Sequence, residues 1–278
     1  MSMAEKHGNK KKGTLTSRLA AWRIWVQAGF TAIWLAPFAR LHTMCSPVFH
    51  CHACPLATFA CPIGVMAHFS ALHLFPFVAV GVIVVFGALF GGFMCGWVCP
   101  FGFLQDLLAK IPTPKFTLPV WMGYTRYVVL VGMVLIVPYM FGAESPLFIC
   151  RVCPAGAIES AVPNVVGAVA SGAAEIPWPS ALKMSILGLF LVAVFFIRRP
   201  WCTLFCPLGA IYGLCNRISF FLLRFHDKKC IDCKTCRGVC QYGGQAEDRI
   251  GSASCNRCLA CEKCRAVTLA TAFDPPDE

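Results

Sequence analysis

The sequence predicts a mainly α integral membrane protein, with about four transmembrane helices and a small cysteine-rich segment at its C-terminal end. Three observations lead there. Of 278 residues, 58% are hydrophobic and only 13% charged, about half the charged share of a soluble domain. The apolar residues come in long blocks. The 19 cysteines sit mostly in the close spacings that bind metal, whereas a disulfide-stapled secreted domain would be short and would lack spanning segments. No CxxCH occurs, so covalent c-type haem is not expected.

Residues 1–19 form a basic tail with Lys6, Lys10, Lys11, Lys12 and Arg18. A membrane domain over 20–199 follows, with four apolar blocks. The first, about 20–38, contains Arg23, Gln27, Trp22 and Trp25, and no small-residue cleavage site follows it; this suits a transmembrane helix better than a cleavable leader. Residues 42–65 form a cysteine-rich loop. The second block, roughly 72–93, is almost free of polar residues and runs straight into Cys95. The third, about 121–141, has Arg126 near its start and Pro138 near its end. Its loop carries Cys150 and Cys153, then a small-residue stretch (162–174) to which the sequence assigns no structure. The fourth, about 181–197, ends at Arg198 and Arg199.

In 200–225, Ile211, Leu214, Ile218, Phe221, Leu222 and Phe225 recur at helical spacing with Arg217 and Arg224 among them. That pattern predicts an interfacial helix on the membrane surface. Residues 226–278 make up the C-terminal domain. Basic residues set the orientation: with the N-terminus inside, all of the 24 lysines and arginines except Arg40, Arg151 and Lys183 fall on the inner side. Both termini are therefore expected in the cytoplasm. Cys45, Cys51, Cys54, Cys61, Cys150 and Cys153 then belong to the outer face, and the cysteines after the second and fourth blocks to the inner face. The formal charge of +11 is read as a solvated surface that meets anionic lipid, with no nucleic-acid partner.

The strongest motif lies at the end of the chain. Cys230, Cys233, Cys236 and Cys240 give C-x2-C-x2-C-x3-C, the run that binds a [4Fe–4S] cluster in ferredoxins, where the fourth cysteine of each run ligates the other cluster. This pairs Cys230, Cys233 and Cys236 with Cys264, and Cys255, Cys258 and Cys261 with Cys240. Gln241 and Arg265 stand where proline is usual, and the second run closes with two intervening residues. Structural zinc is the competing reading, but it needs CxxC pairs on separate knuckles. The C-terminal domain is accordingly expected to be ferredoxin-like with two clusters.

A second motif occurs twice. MCGWVCPFGFLQDL (94–107) and PWCTLFCPLGAIY (200–212) share CxxxCP, one residue, and glycine. Proline suits the first position of a helix, and the free N–H groups of such a start favour an anion. Cys95, Cys99, Cys202 and Cys206 are thus predicted to offer four thiolates to one membrane cluster; buried thiols that merely pack are the plain alternative. The same Cys-Pro-x-Gly pattern recurs at Cys61 and Cys153. Cys51, Cys54, Cys61, Cys150 and Cys153 are candidates for a further cluster, with Cys45 as a spare and disulfides as the competitor in an oxidising compartment. Two [4Fe–4S] clusters are expected, and up to two more. His50, His52, His68 and His73 near the outer face suit haem or quinone binding, or simple solvation. No catalytic or quinone-binding residue is assigned.

Paired CxxxCP units, four apolar blocks and a two-cluster C-terminal segment resemble the membrane polyferredoxins of the NapH, NosR and CcoG type, over roughly residues 20–265. The resemblance implies a multi-pass protein of the bacterial cytoplasmic membrane, and for NapH-like members a quinol dehydrogenase-type electron-transfer subunit. Electrons would move between the quinone pool and a c-type cytochrome or respiratory reductase subunit. The large flavin-binding outer domain of the NosR type is missing here, and the outer cysteine loops are extra to the simplest family pattern. The alternative, implied by CcoG-like members, is an assembly or maturation factor that reduces a metal or thiol for a respiratory oxidase.

Overall fold

The computed structural model describes residues 15–35, 44–51, 53–54, 57–116, 118–173, 176–231, 236, 240, 246–264 and 266–274. Helices dominate. They are α1 (Leu15–Trp34), α2 (Pro62–Ala71), α3 (Phe77–Phe90), α4 (Pro100–Leu108), α5 (Trp121–Phe141), α6 (154–170), α7 (Ala181–Phe196), α8 (Pro200–Leu204) and α9 (Pro207–Cys215). A two-stranded antiparallel sheet closes the chain. In it β1 (Phe221–Phe225) pairs with β2 (Val267–Thr271), in register from Phe221↔Thr271 to Phe225↔Val267.

Local chemistry sets most of these limits. Proline occupies the first position of α2, α4, α6, α8 and α9, where its missing N–H has no helical partner. Gly91 stops α3 at φ +52°, a conformation that other residues adopt only at a cost. The chain then makes one wide turn, Met94–Val98, before Cys99. The Ser180 hydroxyl caps α7 by accepting the Lys183 N–H at 3.3 Å. Within α5, a wide-turned stretch at Leu130–Ile136 directly precedes Pro138, whose ring cannot continue the ordinary i→i−4 ladder.

Among the described residues, α5 alone is long and apolar enough to cross a membrane. α3 and α7 are apolar but have 14 and 16 residues, about 21 and 24 Å of helix against a hydrocarbon core of about 30 Å. α1 has 20 residues, but it turns Arg23 and Gln27 into the interior. The four full-length spans expected from hydropathy are therefore present as one full-length and two shorter apolar helices, plus one helix of mixed character. Their outward faces are apolar: Phe77 is 77% exposed, Val128 73% and Leu189 70%. The inward faces meet in one core that includes Ile83, Phe101, Val134, Phe190 and Tyr212.

One expectation needs correction. The helical spacing through Ile218 to Phe225 is not an interfacial helix, because α9 ends at Cys215 and Phe221–Phe225 is a strand. Pairing with β2 satisfies its backbone, so this segment belongs with the C-terminal domain and the boundary at 225 falls inside a structural unit. Nor is the cysteine-rich loop confined to the periphery of the fold. Val48, Phe49 and His50 are buried, and the Phe49 carbonyl lies 3.6 Å from the Cys99 sulfur. The cysteine-rich loop dips into the molecule until it touches the first CxxxCP unit.

The C-terminal domain is clamped to the helices. Arg257, 2% exposed, donates to the carbonyls of Phe90, Phe221 and Asn216 and to the Ser219 hydroxyl. The Asn216 amide donates to the carbonyls of Ser252 and Cys255 at 2.9 and 2.7 Å, and Arg126 donates to Ala253 at 2.7 Å. The loop approaches so closely that a Cβ at Gly96 would overlap the Asn256 carbonyl, and one at Gly213 the Ala253 carbonyl. Here glycine is required for backbone-to-backbone contact.

Candidate metal centre

Four cysteines serve as helix N-caps with nearly one backbone geometry. Their φ/ψ values are −68/124° at Cys61, −72/119° at Cys99, −73/121° at Cys153 and −70/110° at Cys206. Each precedes proline and then, one residue on, glycine. At Cys206 the Gly209 N–H points at Sγ from 3.4 Å. The matching amides of Gly64, Gly102 and Gly156 favour the thiolate at Cys61, Cys99 and Cys153. A side-chain acceptor at an N-cap normally satisfies one of the free helical N–H groups, and at Cys206 the sulfur takes that place at the positive end of the helix.

These caps converge in pairs. Cys95 and Cys99, at the end of α3, and Cys202 and Cys206, around α8, line one central cavity with Phe49, Met94 and Tyr212. All four thiols are buried. Gln105, 0% exposed, donates from Nε2 to the Cys202 sulfur at 3.1 Å. Arg199, also 0% exposed, donates to the Cys95 carbonyl at 2.9 Å and from Nε to Asp106 at 2.6 Å. It stands in the left-handed region, φ +49°, an uncommon strain for a non-glycine residue that suits a positioning role. Asp106 also pairs with Arg23, and both Arg23 and Gln27 donate to the Gly96 carbonyl at 3.0 Å. Burial alone would raise the Asp106 carboxyl, but the charge and hydrogen bonds of Arg199, with Arg23 and Gln27, outweigh it and hold the group below its ordinary value.

A second cavity is lined by Cys51, Cys61, Cys150 and Cys153, with Phe49 and His50. A third, in the C-terminal domain, is lined by Cys236, Cys240, Cys255, Cys258 and Cys261 around Asn256. The cavities adjoin: Phe49 borders both the first and the second, and Asn256 both the first and the third.

The third cavity brings Cys240 to Cys255, Cys258 and Cys261. Burial first, and then the neighbouring sulfurs Cys258 and Cys240, push the Cys255 thiol up to about 11; Cys261 is raised for similar reasons. Ligation of a metal by such thiols would release their protons. Of the other C-terminal set, Cys236 lines this same cavity, Cys264 packs with Cys236 and Cys261 on the small core of Leu223, Leu259 and Val267, and Cys230 is exposed. Cys233 lies outside the described residues, as does His52.

Among the described residues, no three His, Cys, Asp or Glu side chains close on a single ion. Four cysteines around one cavity match in number the four ligands of an iron–sulfur cube. In the central cavity the buried ring, the helix-start amides and the Gln105 N–H all fit an anionic cluster. Cys54 is buried but does not line the second cavity, and Cys45 is tied by a backbone bridge to Ala60. His68 packs on Phe148 and His73 on Tyr139. Sequence reasoning passed over Gln105, Asp106, Arg199, Phe49 and Asn256. Polar Gln105 and Asp106 beside an apolar run were the available signal; nothing in the sequence places Phe49 or Asn256 between cavities.

Comparison with known proteins agrees with this geometry. Residues 72–119 and 179–229 match the 4Fe-4S binding domain family, so each CxxxCP unit falls inside one matched segment. The chain is 30% identical over 203 residues to an uncharacterized protein of Methanocaldococcus jannaschii, an alignment covering 69% of this chain and 76% of that one. It is 27% identical over 238 residues to the ferredoxin-type protein NapH of Haemophilus influenzae, covering 78% and 77%. To the regulatory protein NosR of Stutzerimonas stutzeri it is 27% identical over 187 residues, 62% of this chain but 23% of that protein. Other relatives are also matched over less than two thirds of their length. No solved structure matches the chain. The chain belongs to the family of ferredoxin-type iron–sulfur electron-transport proteins.

Proposed function

We propose that this ferredoxin-type protein is a membrane electron-transfer subunit, moving electrons between the quinone pool and a respiratory redox partner such as a c-type cytochrome or a reductase subunit. The observation that carries the reading is the central ring of Cys95, Cys99, Cys202 and Cys206, which shares Asn256 with the cavity of Cys236, Cys240, Cys255, Cys258 and Cys261. Bound at such rings, [4Fe–4S] clusters supply one-electron redox chemistry. Cys230, Cys233, Cys236 and Cys264 are the ligands of the remaining C-terminal cluster.

The residues around the ring prepare it for that work. Gln105 and the Gly209 amide place N–H groups on ligand sulfurs, and Arg199 and Arg126 add positive charge close by. Both stabilise the negative charge that grows on reduction. The apolar skin of α3, α5 and α7 suits lipid. Beside the ring opens an apolar hollow of about 460 Å³, lined by Phe30, Trp34, Phe86, Phe93 and Trp97 and by Met94, which also borders the central cavity. Its size is that of a small-molecule pocket, and its aromatic walls suit a quinone ring. The test is reduction of the purified protein by a quinol analogue. Bleaching of the iron–sulfur absorbance within the mixing time supports the reading. No bleaching by quinol, together with rapid oxidation of the reduced protein by Cu(II), would move the assignment to a maturation factor.

A further inference from the structure

We propose that Cys51, Cys61, Cys150 and Cys153 bind a [4Fe–4S] cluster of their own, next to the central one. These cysteines lie outside both segments that match the 4Fe-4S binding domain family. The inference goes beyond the electron-transfer reading and rests on it only for the chemistry of the central ring.

The argument is one of repeated construction. The central ring consists of two Cys-Pro helix starts, Cys99 and Cys206, with one further cysteine upstream of each, Cys95 and Cys202. The second cavity consists of two more such starts, Cys61 and Cys153, with Cys51 and Cys150 upstream. Backbone angles at all four caps agree within a few degrees in φ and about 14° in ψ, inside the ordinary scatter of real structures. Each start places its glycine three residues after the cap cysteine, and the Gly64 and Gly156 amides favour the thiolate at Cys61 and Cys153. Helix starts of this kind favour a bound anion, which neutral packed thiols are not.

The cavity is built rather than accidental. Cys51 has no helix of its own, so α6 fixes its loop: the buried Glu159 carboxylate accepts the Cys51 N–H at 2.6 Å, and the Ser160 hydroxyl donates to the Ala53 carbonyl at 3.0 Å. Lys183, from the first turn of α7, also reaches the site, its Nζ 3.5 Å from where a Gly156 Cβ would stand; the Cys51 sulfur lies 3.6 Å from the same point. The cation offsets part of the charge that four thiolates and a cluster bring. The Cys51 sulfur neighbours Cys61, Cys150 and Cys153, and it also neighbours Cys54. Of the four cysteines in the 42–65 loop, Cys51 and Cys61 line the cavity, while Cys54 and Cys45 do not. A shared Phe49 wall makes this site the neighbour of the central ring. Ligation of a preformed [4Fe–4S] core exchanges four S–H bonds for four S–Fe bonds, releases four protons and changes no oxidation state.

The test uses the full chain, produced anaerobically with ample iron and purified in detergent. Iron and acid-labile sulfide are counted in the parent, in a Cys61→Ser/Cys153→Ser variant and in Cys54→Ser. The double variant is expected to lose about four irons and four sulfides and to keep the spectral signal that Cys99→Ser abolishes; Cys54→Ser should lose neither. Alkylation mapping by mass spectrometry on the parent covers the case of a variant that fails to fold. Cys51, Cys61, Cys150 and Cys153 should resist alkylation until iron is chelated, and then label together. Disulfide-linked peptides among the four in the parent, or their labelling before chelation, would overturn the proposal. If Cys99→Ser leaves iron unchanged, it is the central reading that fails, and the alkylation pattern still decides this one.

Discussion

The amide of Gln105 and the carboxylate of Asp106 adjoin in sequence and serve the central ring in different ways. Gln105 donates directly to the Cys202 sulfur, and hydrogen bonds to ligand sulfurs raise a cluster's potential by favouring its more negative state. Gln105→Leu keeps much of the volume and removes the donor. If the bond is worth about 1.4 kcal/mol more to the reduced form, the midpoint falls by roughly 60 mV; a redox titration that finds no shift contradicts this role. Asp106 instead balances Arg23 and Arg199. Because its folded pKa is depressed, its stabilising contribution is complete above the ordinary carboxylate range and lost as pH falls through the depressed value. Acid below about pH 4 should therefore loosen the α1–α4 contact. Asp106→Asn should destabilise the protein by about 3 kcal/mol at neutral pH, since it strands buried guanidinium groups; an unchanged thermal midpoint would contradict that. None of this was legible from cysteine spacing. Such spacing reveals ligands but not the side chains that tune them, which come from elements distant in sequence.

Elements follow the sequence where one local force dominates. α5 keeps the predicted limits, 121–141, because an apolar run of that length has few other solutions. The Cys-Pro-x-Gly units form helix starts, as the proline and the cap geometry require. The failure at 216–225 is instructive: Phe221, Leu222 and Phe225 also fit a helical period, but Val267–Thr271, more than forty residues away, offers a complete ladder and takes 221–225 as a strand. Periodicity over a short apolar run cannot foresee such a partner. The C-terminal domain depends equally on distant contact. Gly213 in α9 lets the Ala253 carbonyl rest on the helix. Gly213→Val should therefore lift the 253–257 loop, and hydrogen exchange in β1 and β2 should quicken at least tenfold while α5 stays protected. Unaltered exchange would mean that the close packing is not what holds the domain.

At the scale of the molecule, a membrane reading from hydropathy and a cluster reading from cysteines combine into something neither contains alone. Outer and inner cysteine groups separated by a full bilayer would need a carrier between them, since about 30 Å is too wide for one efficient step. The folded chain removes that difficulty by bringing Val48–His50 inward, so that three thiol-lined cavities meet at Phe49 and Asn256. The sequence shows which cysteines are chemically grouped; only the fold shows that the groups adjoin. Everything else rests on the central ring being one site made by two repeats. Its most direct test is electron paramagnetic resonance with iron analysis on Cys99→Ser and Cys202→Ser, one variant from each repeat. Both should lose the same single signal and about four irons, with the remaining signals intact. Two different signals lost, or iron lost from one variant alone, would show that the repeats do not share a cluster.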